Sequence, residues 1–137
     1  MNEIEKQILE DYARKYSIAR MSYKIMGMML DEKYVKERIS AFNINHMYIY
    51  GGTYMAVQLY RSGRKFTDIK GIVDKSCRIA INDDVSVIAL DAFKEIYNNE
   101  KVVVASLRFF QEIKKDIESF VNADNIMNIG ELLMGDY

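Results

Sequence analysis

The chain has 137 residues, 50% of them apolar and 28% charged, with a formal net charge of −1. These totals describe one globular domain, long enough to bury about two-thirds of its unfolded surface. A balanced charge with no lysine and arginine stripe excludes nucleic acid as a partner, because neutralising phosphates takes concentrated positive charge.

Cys77 is the lone cysteine, which leaves no internal disulfide and fits a reducing, cytoplasmic setting. Glu3 and Glu5 occupy the place where a secretory leader carries its basic region, so no signal peptide is expected. The longest uncharged apolar stretch, around residues 25–30, is far too short for membrane insertion. Proline is absent, and neither a repeat nor a low-complexity segment interrupts the chain. A complete dehydrogenase needs a substrate-binding part as well as a dinucleotide-binding half, and this length leaves no room for both.

Residues 2–42 read as helical. Ile4, Ile8, Tyr12, Ala19, Tyr23, Met26 and Leu30 recur at spacings of one helical face, and Ile18, Met21, Ile25 and Met29 widen it. A single helix of about thirty residues would run roughly 45 Å, whereas a globule of this size has a radius of gyration of about 14 Å. The helix therefore breaks, at Ser17 or Gly27, or it projects and packs against another chain. Asp31 is placed to cap a second helix running through Ser40.

At His46 the apolar period changes. Strands are expected at 46–50, 69–73, 85–89, 101–105 and 125–129, and helices at 54–62, 91–98 and 108–121. Gly63 suits the C-terminal cap of the first of these helices and Asp91 the N-terminal cap of the next. Val102 to Ala105 is apolar throughout, as a strand covered on both faces must be. Residues 85–89 follow the second strand so closely that an edge position is expected for them.

Strands alternating with helices define an α/β fold. The run His46 to Tyr50, the turn Gly51-Gly52, the helical pattern after it and the strand Ile69 to Val73 ending on Asp74 outline a nucleotide-binding βαβ unit. The expected architecture is a Rossmann-like, doubly wound, mainly parallel sheet of about five strands over residues 43–137. Residues 1–42 precede it as a helical segment for packing or oligomerisation. In such sheets the ligand crevice lies at the carboxyl ends of the strands, which here supply Gly51 to Tyr54, Asp74 to Cys77 and Ser106 to Arg108.

Four local patterns give a more specific likeness. They are Tyr48-Ile49-Tyr50-Gly51-Gly52, Ile69-Lys70-Gly71-Ile72-Val73-Asp74-Lys75, Val85-Ser86-Val87-Ile88-Ala89-Leu90-Asp91, and Val102-Val103-Val104-Ala105-Ser106 followed by a helix with Glu112-Ile113. In this order, across residues 43 to 133, they resemble the Rossmann-like domain found in enzymes of surface-polysaccharide and nucleotide-sugar metabolism: PglD-type sugar N-acyltransferases, sugar C-methyltransferases and nucleotide-sugar dehydratases. The resemblance implies a domain that holds a nucleotide, a nucleotide-sugar or NAD(P), or that stands as a scaffold beside another catalytic domain.

The glycine fingerprint departs from G-x-G-x-x-G/A, since Gly51-Gly52-Thr53-Tyr54-Met55-Ala56 puts Thr53 where the second glycine belongs. Its Cβ blocks close approach of a pyrophosphate, while its hydroxyl suits either a helix cap or a phosphate. Asp74 stands where the family has a ribose-binding carboxylate, and a strand-end aspartate accepting turn amides explains it equally. Arg108 suits an anion in the crevice or the surface of a first helical turn. Tyr54 suits a base or the sheet end. A His46–Cys77 dyad fails on geometry, because a five-residue strand sets opposite sheet ends roughly 16 Å apart. With one histidine and one cysteine, a zinc site has too few ligands.

The expectation is a cytoplasmic nucleotide- or nucleotide-sugar-binding domain with no catalytic residues of its own. Its cofactor-binding residues are Gly51, Gly52, Thr53, Tyr54, Asp74, Ser106 and Arg108, and no metal is expected. Two alternatives stand beside it. One is a ligand-free interaction module that dimerises through the N-terminal helices. The other is a subunit that completes a sugar-modifying transferase or NAD-dependent oxidoreductase with a second polypeptide.

Overall fold

Two polar residues start the N-terminal helices. Asn2 accepts from the Glu5 N–H at 2.8 Å while the Glu5 carboxylate reaches back to the Asn2 N–H, a capping box that opens α1 (Glu3–Met29). Asp31 accepts from the Tyr34 N–H at 3.1 Å and opens α2 (Glu32–Ala41). The structure is a computed structural model that describes residues 1–51, 54–75 and 85–135.

α1 is continuous. Neither Ser17 nor Gly27 breaks it, and its 27 residues span about 40 Å. A single helical glycine weakens a helix by about 1 kcal/mol without interrupting its hydrogen bonds. Of the two outcomes open to so long a helix, this chain takes projection: residues 1–10 and 12–17 are exposed, whereas Ile25 and Met29 are fully buried.

The remaining elements are β1 (His46–Tyr50), α3 (Tyr54–Gly63), β2 (Asp68–Val73), β3 (Val87–Ile88), α4 (Leu90–Ile96), β4 (Lys101–Val104), α5 (Phe110–Ile117), a 3-10 turn (Ala123–Asn125), β5 (Ile126–Asn128) and α6 (Ile129–Met134). The strands form one parallel sheet in the order β3-β2-β1-β4-β5. Chain growth runs outward from β1 through β2 to β3, then crosses back to β4 and β5. That is the doubly wound, Rossmann-like arrangement.

Side-chain alternation along the strands builds two cores. Met47, Ile49, Ile72, Val103 and Ala105 face α1, α2, α3 and α6. Tyr48, Tyr50, Val73, Val102 and Val104 face the other way, onto Phe93 of α4 and Ile117 of α5. Ile25, Met29, Val35 and Ile39 from the N-terminal helices belong to the first core. Two long-range bonds fasten α2 to the end of α6. The Tyr34 hydroxyl donates to the Leu133 carbonyl, and Arg38 Nε donates to the Leu132 carbonyl at 2.7 Å. Both satisfy carbonyls that a helix end leaves open.

Several boundaries differ from the sequence reading, each for a local reason. Gly63 lies in the last turn of α3, outside the positive-φ region, so it is no left-handed cap. A Cβ there would meet Ile69 Cδ1 at 3.3 Å and Ile39 Cδ1 at 3.4 Å, so the position is set by packing. Ala89 holds the α4 cap position without a side-chain bond, and Asp91 sits in the first turn, where a negative charge still favours the helix. α5 is shorter than the expected 108–121. Ile129, read as the end of a strand, begins α6, whose cap is Asn128 accepting from the Gly130 N–H at 2.7 Å. β3 is reduced to two residues and lies at the sheet edge, as the short connection implied.

Candidate site at the carboxyl edge of the sheet

Strand order reverses between β1 and β4, and the backbone just beyond them forms the centre of the carboxyl edge. Gly51 has φ +138°, a conformation that side chains disfavour. Its N–H donates to the Val73 carbonyl at 2.9 Å, and the Ala105 N–H donates to the Tyr50 carbonyl at 2.8 Å. A Cβ on Gly51 would stand 3.4 Å from the Ala105 carbonyl oxygen. The glycine thus lets β1 turn out of the sheet while hard against its neighbour. Gly52 and Thr53 lie outside the described residues, as does Cys77.

Tyr54 opens α3 and is 87% exposed, so its ring is available to a ligand and covers nothing. Asp74 follows β2, half-buried, with its N–H donating to the Ile88 carbonyl at 2.9 Å. Ser106 is buried, and its hydroxyl oxygen accepts from the Phe109 N–H at 3.1 Å while its carbonyl accepts from Asn128 Nδ2 at 3.3 Å. The turn into α5 accounts for this serine by itself. Arg108 is exposed, its guanidinium 5.1 Å from the Phe109 ring centroid.

Arg108 also has company that the sequence does not announce. It lines a cavity of about 400 Å³ between α1 and the start of α5, together with Asp11, Arg14, Lys15, Ile18, Phe109 and Glu112. Arg14 forms an ion pair with Asp11 at 3.6 Å. The cations Arg14, Lys15 and Arg108 outnumber the acids Asp11 and Glu112 around this opening, so it favours an anion in modest measure.

On the α4/α5 face of the edge the character inverts. The Tyr50 hydroxyl is buried with no hydrogen-bond partner among the described residues, and the residue is only 3% exposed. Burial pushes this phenol up to about 12, and the carboxylates of Asp116 and Asp74 push in the same direction. Lys75 Nζ lies 3.6 Å from Asp116 Oδ2, tying the end of β2 to α5. Period-two alternation through β1 puts Tyr50 beside Tyr48 on the α4/α5 face. That it would end without a partner required the three-dimensional neighbours.

The opposite, amino edge holds His46, whose Nδ1 lies 3.0 Å from Asp68 Oδ2, with both side chains largely exposed. Beside it Glu100 is buried and holds Lys70 Nζ at 2.8 Å and the Asn98 N–H at 2.7 Å. Burial alone would raise the Glu100 carboxyl. The Lys70 hydrogen bond and the N–H groups of Glu100 and Asn98 outweigh it and hold the carboxyl below its ordinary value.

The structure therefore brings Gly51, Tyr54, Asp74 and Ser106 to one edge of the sheet and turns Arg108 toward α1. Among the described residues no helix is long and apolar enough to cross a membrane. No protein-family model matches the chain, and neither a curated protein nor a solved structure matches it.

Proposed function

We propose that the chain binds a nucleotide or a nucleotide-sugar at the carboxyl edge of its sheet, as an accessory domain of sugar metabolism that makes and breaks no bond by itself. The observation that carries this reading is the reversal of strand order between β1 and β4, with the Gly51 backbone packed on Ala105 beside the opening. Open parallel sheets bind ligands at such points, because the loops diverge there and leave a crevice. Phosphates suit the cations of Arg14, Lys15 and Arg108, since guanidinium matches phosphate geometry. Ribose or sugar hydroxyls suit Asp74, which stands at the end of β2. The resemblance of the strand-end patterns to domains of surface-polysaccharide enzymes supports a nucleotide-sugar over other nucleotides, with NAD(P) as the second choice. A lone cysteine favours a cytoplasmic setting.

Thermal unfolding in millimolar NAD(H), NADP(H), UDP-sugars and dTDP-sugars tests the reading. A ligand at a hundredfold excess over its Kd stabilises by about 2.7 kcal/mol, and Asp74→Asn should shrink that gain. Unchanged melting with every member of the panel would sink it.

A second reading, a homodimer formed through the N-terminal helices, is favoured by α1 itself. A projecting helix that exposes Ile8, Tyr12, Tyr16 and Tyr23 keeps a large apolar surface in water unless another molecule covers it. Light scattering tests it, and a monomer at tens of micromolar would discard it.

A further inference from the structure

The exposed stripe of α1 lies on a different side of the helix from the residues it buries. At 3.6 residues per turn, Glu5, Ile8, Tyr12, Tyr16, Ala19 and Tyr23 fall within an arc of about 80°, with Met1 just beyond the cap on the same line and Ile4 and Leu9 along its margins. All of them are exposed. Tyr12, Tyr16 and Tyr23, at 71%, 70% and 85% exposure, present roughly 400 Å² between them. That alone reaches the size of the largest apolar patch on an ordinary monomer, about 300–600 Å².

Two further regularities say what covers the stripe. First, its spacing reads the same in both directions from Tyr12: Ile8 mirrors Tyr16, Glu5 mirrors Ala19, and Met1 mirrors Tyr23. Second, the helix is divided by charge. Glu3, Glu5, Glu10 and Asp11 stand against Lys6 alone in its first part, whereas Arg14, Lys15, Arg20 and Lys24 follow with no acid before Asp31. A parallel pair would set acid beside acid and base beside base. An antiparallel pair sets each acidic end along the basic half of the other helix, and brings Glu5 opposite Ala19, adjacent to Arg20 and one turn from Lys15. Such an arrangement is isologous, with its twofold axis at Tyr12.

We propose that α1 pairs antiparallel with α1 of a second copy of this chain, along a seam of about 35 Å from Met1 to Tyr23 centred on Tyr12. This inference rests on the dimer reading above and adds its geometry. The aromatic rings of Tyr12 meet across the axis, Ile8 packs on Tyr16 of the second copy, and Lys15 and Arg20 flank the seam.

The test is oxidative cross-linking of single-cysteine variants of the full chain carrying Cys77→Ser, after light scattering. The expected mass is twice the chain's 16.0 kDa. Tyr12→Cys should link to itself. Glu5→Cys should link to Ala19→Cys when the two are mixed and should not link to itself, since its own copy lies about 21 Å away along the helix. These positions are exposed, so the substitutions leave the core intact. A dimer in which Glu5→Cys links to itself, or does not link to Ala19→Cys, overturns the antiparallel pairing and leaves the dimer reading standing. A monomer overturns both.

Discussion

Tyr50→Phe removes one oxygen and nothing else, and the structure fixes the sign of its effect. The hydroxyl is buried without a partner among the described residues, so in the folded state it has lost its hydrogen bonds to water and gained none from them. Leaving a polar group in that condition costs about 1–3 kcal/mol, and the phenylalanine variant recovers much of it. For a chain of this size 1 kcal/mol moves Tm by about 3–5 °C, so a gain of roughly 3–10 °C is expected by calorimetry at neutral pH. The alkaline limb gives an independent reading. A phenol at about 12 in the folded chain, against an ordinary 10.0, keeps its proton where the unfolded chain has released its own. Stability from this group is fully present below pH 10 and falls as pH rises toward 12, by about 2–3 kcal/mol in total. Tyr50→Phe should flatten that fall. A variant that melts lower than the parent in the absence of ligand would refute the reasoning outright, since it would mean that the hydroxyl is satisfied.

Two other substitutions probe the ends of the sheet. Gly51→Ala should destabilise by about 1–3 kcal/mol, chiefly through a backbone at φ +138° that alanine resists, with contact at 3.4 Å to the Ala105 carbonyl adding little; urea unfolding reads it as a lower midpoint at constant slope. Glu100→Gln keeps an acceptor for the Asn98 N–H and loses the charge that holds Lys70, for a loss of about 1–3 kcal/mol at pH 7. Because Glu100 titrates below its ordinary range in the folded chain, its contribution is present above the unfolded carboxylate pKa and disappears as pH falls through the folded one. The difference between parent and variant should therefore vanish in acid, and a difference that persisted undiminished to pH 2 would contradict the ion-pair account.

The sheet was legible in the sequence because its signals are local. Val102 to Val104 is β-branched and apolar on both faces, and the Gly51 turn separates a period-two run from a period-3.6 run within a few residues. Strand order then follows from right-handed crossovers with little freedom left. α6 escaped because its first residue continues an apolar strand without interruption. Its signal was nevertheless present: Asn128 followed by Glu131 is the spacing of a cap and its third helical residue, and Asn128 does cap the helix. For α1 both a break and a projection were open, and the helix takes the projection. Nothing in Ser17 or Gly27 opposes a helix strongly enough to stop one, so its 27 residues run on with their first turns exposed.

The candidate site was legible only where it is made of strand ends. Gly51, Asp74 and Ser106 are each one step past a strand, so the edge they share is implied by the period of the pattern. Arg14 and Lys15 stand beside Arg108 across more than ninety positions of sequence, and no local pattern encodes that approach. It arises because the second half of α1 must bury Ile25 and Met29 in the core it shares with α2, α3 and α6, which leaves the helix continuing past the carboxyl edge. The same constraint sets the direction of the exposed stripe. The buried residues and the stripe lie on different sides of one rigid helix, so packing of the first determines where the second is presented. One amphipathic element therefore supplies cations beside the ligand edge on one flank and an apolar, charge-divided seam on another. Shortening α1 to remove the seam would take Arg14 and Lys15 with it. Substitutions confined to the stripe, such as Tyr12 or Ile8, are what separate association from ligand binding.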